Sequence, residues 1–122
     1  MDKIISIRGA ITVKENTVKD IKSATTKLLN ELFTQNNLQE EKIINIIFTV
    51  TDDLDTLNPA TVIREEFKID SIPMLCVQEM KVKDGLSRCI RVMIQVYSDL
   101  TKEKIKHIYL GDAANLRPDL NA

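Results

Sequence analysis

Of the seventeen basic residues in this 122-residue chain, only five are arginine: Arg8, Arg64, Arg88, Arg91 and Arg117. Arg91 is the sharpest of them. It stands in an alternating run, between Cys89 and Met93 on its own face and flanked by Ile90 and Val92. An arginine in such a half-apolar setting must meet an anion or keep its head in water. One reading is a structural ion pair with an acid such as Glu79, or a side chain snorkelling from an edge strand. The other is anion recognition, since the planar guanidinium grips a carboxylate with two parallel hydrogen bonds. Arg8, immediately before Gly9, is a second candidate at the end of a strand. Glu79 lies three residues after Cys76, so in a regular strand the two face opposite ways unless a bulge intervenes. Cys76 reads more readily as a small buried apolar residue than as a nucleophile. No histidine is near it in sequence, and His107, the only one, is flanked by Lys106 and Ile108, so a Cys–His dyad has little support. Tyr109 shares a face with His107, either as a packed ring or as a hydroxyl donor to a ligand.

The rest of the composition narrows the chemistry. Seventeen basic against eighteen acidic residues leave a formal charge of −1, which argues against a general nucleic-acid binder. The two cysteines, Cys76 and Cys89, have no C-x-x-C spacing and the one histidine is His107, so no structural metal site is expected. Glycine-rich phosphate loops and the nucleophile elbow are missing from the sequence. No apolar run approaches the roughly 20 residues of a membrane span, and no secretory leader is recognisable. A cytoplasmic, disulfide-free protein is the expectation.

The elements that must position these residues follow from periodicity. Lys3 to Arg8 is β-branched and reads as a strand closed by Gly9. Val18, Ile21, Thr25, Leu28, Leu29, Leu32 and Phe33 repeat at helical spacing, with Thr17 and Asp20 resembling a capping box and Asn36-Asn37 a stop. Ile43 to Thr51 is almost continuously apolar, as in a strand covered on both faces. Asn58-Pro59 opens a short helix to about Phe67. Strands are predicted over Met74 to Met80, Ser87 to Tyr97 and Ile105 to Leu110, with Asp84-Gly85 as turn chemistry between the first two. The order β-α-β-α-β-β-β predicts a single α+β domain over 1–122, a mixed sheet with helices packed on one face. The mixed Cys89, Arg91, Met93 face suggests that a neighbouring subunit covers the other side.

Five segments carry a resemblance: Ile7-Arg8-Gly9-Ala10, Cys76-Val77-Gln78-Glu79-Met80, Cys89-Ile90-Arg91-Val92-Met93, His107-Ile108-Tyr109-Leu110 and Leu116-Arg117-Pro118-Asp119-Leu120. In order and spacing they resemble the AroH-class chorismate mutases over essentially the whole chain. The resemblance implies conversion of chorismate to prephenate, a Claisen (3,3-sigmatropic) rearrangement on the route to phenylalanine and tyrosine. It also implies a cofactor-free homotrimer, a pseudo-barrel with active sites at subunit interfaces. By that likeness Arg91 acts on the ether oxygen and the enolpyruvyl carboxylate. Arg8 and Tyr109 bind the same carboxylate, and Glu79 accepts from the ring hydroxyl. Cys76 contacts that hydroxyl, while Ala60, Thr61, Met74 and Leu75 form the wall around the substrate. Arg64 sits at the mouth, and Leu116 and Arg117 belong to a mobile C-terminal tail over 110–122.

The chain departs from the class at three points. Asn58 stands where an aromatic is common before Pro59, Thr61 where a lysine is common, and Leu75 where a hydroxyl residue precedes Cys76. These changes are expected to weaken substrate binding more than chemistry. Two other functions fit the same arginine pattern: a non-catalytic trimeric anion-binding or regulatory module, and an imine-hydrolysing trimer of related architecture.

Overall fold

A computed structural model describes residues 2–116 of the chain. Strand β1 spans Lys3–Thr12, helix α1 Val18–Gln35, β2 Ile43–Val50, α2 Pro59–Glu66, β3 Met74–Gln78, β4 Cys89–Ser98 and β5 Ile108–Leu110. Short 3-10 helices occupy Glu40–Lys42 and Gly111–Asn115. The expected α+β order is therefore present, in one five-stranded sheet ordered β3-β2-β4-β1-β5. β4 is central and antiparallel to both β1 and β2, while β3 and β5 add in parallel at the two edges.

Alternation along β4 divides the sheet into two faces. Ile90, Val92, Ile94 and Val96 are buried, together with Ile7 and Ile11 of β1 and Ile46 and Phe48 of β2. They pack against Ile21, Leu28, Leu29 and Leu32 of α1 and against Ala60 and Ile63 of α2 in one core. Both helices begin as their sequences predict. The Asp20 N–H donates to Thr17 Oγ1 at 3.0 Å, and the Ala60 N–H donates to Asn58 Oδ1 at 2.9 Å. Each satisfies one of the backbone donors that a helix start leaves unpaired.

The opposite face carries Ile4, Arg8, Ile47, Thr49, Leu75, Val77, Arg91, Met93 and Tyr97. Among the described residues only the 3-10 helix Gly111–Asn115 packs on it, over Ala10, Cys89 and Tyr109 at its β1–β5 end. This corrects the expectation that β2 is covered on both sides: Ile47 remains 36% exposed.

Several boundaries also differ. Gly9 does not end β1; the strand runs through it to Thr12, and Arg8 is mid-strand. The glycine is there because α1 crosses closely: a Cβ would lie 3.0 Å from Leu32 Cδ1 and 3.1 Å from the Ile108 carbonyl oxygen. β3 closes at Gln78 and β5 begins only at Ile108, after a turn around residues 102–104. Within the segment expected as a tail from residue 110, Leu110 is strand and Gly111–Asn115 is helical with Ala113 buried. Arg117 and the remainder of that segment lie outside the described residues.

Candidate active site

The open face of the sheet gathers four of the singled-out residues. Ala10 pairs with Arg91 across β1 and β4, and with Tyr109 across β1 and β5, so the arginine and the tyrosine flank one small residue. Arg8 pairs with Met93, which makes it the diagonal neighbour of Arg91 on the same face, at roughly 7–8 Å between backbones. Together with Gly9, Ile47, Thr49 and Val92 these residues line a cleft of about 230 Å³.

Glu79 enters from the far side. Its N–H donates to the Val50 carbonyl at 2.9 Å, which continues the β3 ladder one residue and keeps the side chain on the open face. There Glu79 Oε1 accepts from Arg91 Nε at 3.1 Å and from Thr49 Oγ1 at 3.2 Å. The ion pair is half-sheltered, with the Arg91 side chain 35% exposed and that of Glu79 19%. A pair in that setting holds the guanidinium in place without withdrawing it from a ligand. Only Nε is engaged, so the terminal nitrogens of Arg91 keep their donors free of the described residues.

Tyr109 adds an unusual donor. Its ring is buried with Ala10, Cys89 and Ala113, and Leu116 packs against that cluster. The hydroxyl is buried too and has no hydrogen-bond partner among the described residues. An orphaned buried hydroxyl costs about 1–3 kcal/mol, which an acceptor arriving in the cleft would relieve. Arg8 is exposed, and its guanidinium has no partner among the described residues. Two guanidinium groups against the one carboxylate of Glu79 make the cleft electropositive, and its donors outnumber its acceptors. The arrangement can hold carboxylates and stabilise a developing oxyanion.

The remaining candidates form a second group, and one chain does not bring the two together. Ala60, Thr61 and Arg64 lie on α2, in the helix layer, where Arg64 Nη2 donates to Thr61 Oγ1 at 3.2 Å. Met74 and Cys76 pair with Ile46 and Phe48 and so point to the helix side. Cys76 therefore faces away from Glu79, as strand alternation without a bulge requires, and cannot share a ligand with it inside one chain. Burial pushes the Cys76 thiol up, and that of Cys89 to about 11, so both are neutral thiols rather than nucleophiles. Leu75 alone of this group points to the open face, at its β3 edge, 64% exposed. Among the described residues no group of three His, Cys, Asp or Glu side chains could hold a metal ion.

Thr49 escaped the sequence reading. Its signal was present, as the one hydroxyl in the apolar stretch Ile46 to Val50, on the alternation of Ile47.

Comparison with known proteins gives the chain its family. Residues 4–120 match the family described as Chorismate mutase type I. The chain belongs to that family. It is 38% identical over 118 residues to the chorismate mutase AroH of Bacillus subtilis (strain 168), covering 97% of this chain and 93% of that protein. The chorismate mutase AroH of Thermus thermophilus is 39% identical over 117 residues, 95% of each chain. A solved chorismate mutase from Clostridium thermocellum superposes with a TM-score of 0.87 at 45% identity, over 91% of this chain and 98% of that one. As a type I chorismate mutase the chain is an isomerase that turns chorismate into prephenate, so the AroH-class resemblance and the activity it implied both hold. The type I fold, a mixed sheet with two helices on one side, is likewise as expected.

Proposed function

We propose that the rearrangement is driven by Arg91, with Arg8, Tyr109 and Glu79 positioning chorismate around it. The reaction is unimolecular and moves no proton. As the C–O bond breaks, negative charge grows on the ether oxygen, and the two reacting ends must be held close in a compact conformer. The observation that carries the reading is the state of Arg91. Its Nε is fixed by Glu79 while its terminal nitrogens have no partner among the described residues, in a cleft shared with Arg8 and Tyr109. In this reading Arg91 meets the ether oxygen and the enolpyruvyl carboxylate, and Arg8 and Tyr109 bind that carboxylate. Glu79 accepts from the ring hydroxyl on its remaining lone pairs and balances the arginine charge.

The cleft is half a site, and the proposed assembly completes it. We infer a homotrimer in which the Ala60, Thr61, Arg64, Met74, Leu75 and Cys76 group of one copy closes the Arg8–Arg91–Tyr109 cleft of the next, with Leu116 and Arg117 covering the mouth. Support comes from the uncovered face itself, where Ile4, Ile47, Leu75, Val77, Met93 and Tyr97 are all exposed apolar side chains. Residues 1–122 act as one domain in this assembly. With two free thiols and a small soluble substrate, the enzyme is assigned to the cytoplasm.

The test is the loss of chorismate absorbance in steady-state kinetics on folded variants. Charge on the ether oxygen is larger in the transition state than in the ground state, so Arg91 acts on kcat. Arg91→Ala is expected to lower kcat by at least roughly 10²–10³, as when an oxyanion donor is removed. Arg91→Lys recovers part of this, because a point ammonium cannot make a two-pronged contact. An Arg91→Ala enzyme with wild-type kcat would remove this strand from the chemistry.

A further inference from the structure

The backbone beneath Arg8 is held in an uncommon way. β1 and β5 pair in parallel from Gly9–Ile108 to Ile11–Leu110, and the ladder stops there. The next N–H of β1, that of Arg8, still points toward β5, but no backbone carbonyl receives it. It donates instead to Nδ1 of the His107 ring, at 3.0 Å. Accepting at Nδ1 fixes the tautomer: the neutral ring carries its proton on Nε2. The ring is itself held by its support. Asn36, a buried residue at the end of α1, binds Lys106 on both sides, accepting from its N–H at 2.8 Å and donating to its carbonyl at 2.9 Å. A chain of contacts thus runs from the helix, through residue 106, to the imidazole and on to the Arg8 backbone.

We infer that His107 is a positioning residue for Arg8, which fixes the backbone from which that guanidinium reaches the substrate carboxylate; this rests on the proposed role of Arg8. The imidazole touches no reacting atom. It substitutes for the ladder bond that a longer β5 would have made, at Arg8, whose side chain is exposed in the cleft and has no partner among the described residues. A carboxylate is charged in both the ground and the transition state, so an error in Arg8 placement weakens the two equally and is read in KM.

Five variants test it, four single and one double, each first confirmed to be folded and of wild-type assembly mass. His107→Ala is expected to raise KM about five- to tenfold with kcat within about twofold, the size of effect given by one lost hydrogen-bond acceptor. His107→Asn should return KM to within about twofold, because Asn Oδ1 occupies the place of Nδ1. His107→Gln should behave as the alanine variant, since its carbonyl stands one methylene farther out. Arg8→Ala should lower kcat/KM by more than His107→Ala, and adding His107→Ala to it should cause little further loss, since the two act through one group. If Arg8→Ala is impaired but His107→Ala is not, the positioning role fails and the site reading stands. Equal impairment of the alanine and asparagine variants also overturns the inference. If Arg8→Ala itself is unimpaired, the reading of Arg8 fails and the inference falls with it.

Discussion

Tyr109 illustrates how a residue can be useful to a ligand and unfavourable to the fold. Its ring contributes apolar burial beside Ala10 and Cys89, while its hydroxyl is desolvated with nothing to donate to among the described residues. Tyr109→Phe keeps the packing and removes the orphan. Equilibrium denaturation at fixed protein concentration should therefore find the variant as stable as wild type or more so, by up to about 1 kcal/mol. The same variant should show a raised KM for chorismate, and an unchanged KM would mean that the hydroxyl does not face the substrate. Residues of this kind are partly legible in a sequence. Arg91 stood out because strand alternation placed it among apolar neighbours, and the structure gives it the Glu79 partner that this setting demands. From sequence His107 reads only as a dyad candidate and Asn36 only as a helix stop, and neither reads as a support for Arg8. Their partners lie 99 and 70 residues away, and no local pattern encodes a bond across that distance.

At the scale of elements, punctuation signals held where their cause is local and failed where it is tertiary. Thr17 and Asn58 cap helices through bonds two or three residues long, so the helix starts were readable. Gly9 was misread as a strand end because its requirement comes from α1, whose Leu28 and Leu32 side chains leave no room for a Cβ. Gly9→Ala should cost roughly 1–3 kcal/mol by overpacking, because the Ile108 carbonyl on the other side is backbone and yields poorly. Thermal unfolding measures that loss. The start of β4 supplies a second case. Arg88 has a φ of +46°, in the left-handed region, and its N–H donates to both carboxylate oxygens of Asp53, at 3.0 Å each. Burial works against the ionised Asp53, but hydrogen bonds from Thr51 and from the Arg88 backbone outweigh it and lower the pKa. A carboxyl lowered in the folded state stabilises it above the unfolded pKa of about 3.9 and progressively less as pH falls below that. Asp53→Asn should accordingly lose stability at neutral pH and show a shallower decline between about pH 5 and 2, as read by denaturation at each pH.

For the whole molecule, the uncovered sheet face predicts the state in solution. Sedimentation at micromolar concentration should give three times the 13.9 kDa chain mass, and a stable active monomer would exclude shared sites. Leu75→Asp tests the face directly. The side chain is 64% exposed in the single chain, so the change leaves the subunit core alone, yet it should dissociate the assembly and abolish most activity. The strand order also bears on how the chain is made. β1 is synthesised first, but both of its sheet neighbours, β4 and β5, come from residue 89 onward. While the polypeptide leaves the ribosome, β1 therefore waits with two open edges until most of the sequence has emerged. Only β2 and β3 can pair early, because the sheet they join also needs β4. Pairings this distant along the chain carry a large closure entropy and form slowly. The interval before β4 arrives is when β1 is exposed to chaperones or to another nascent chain.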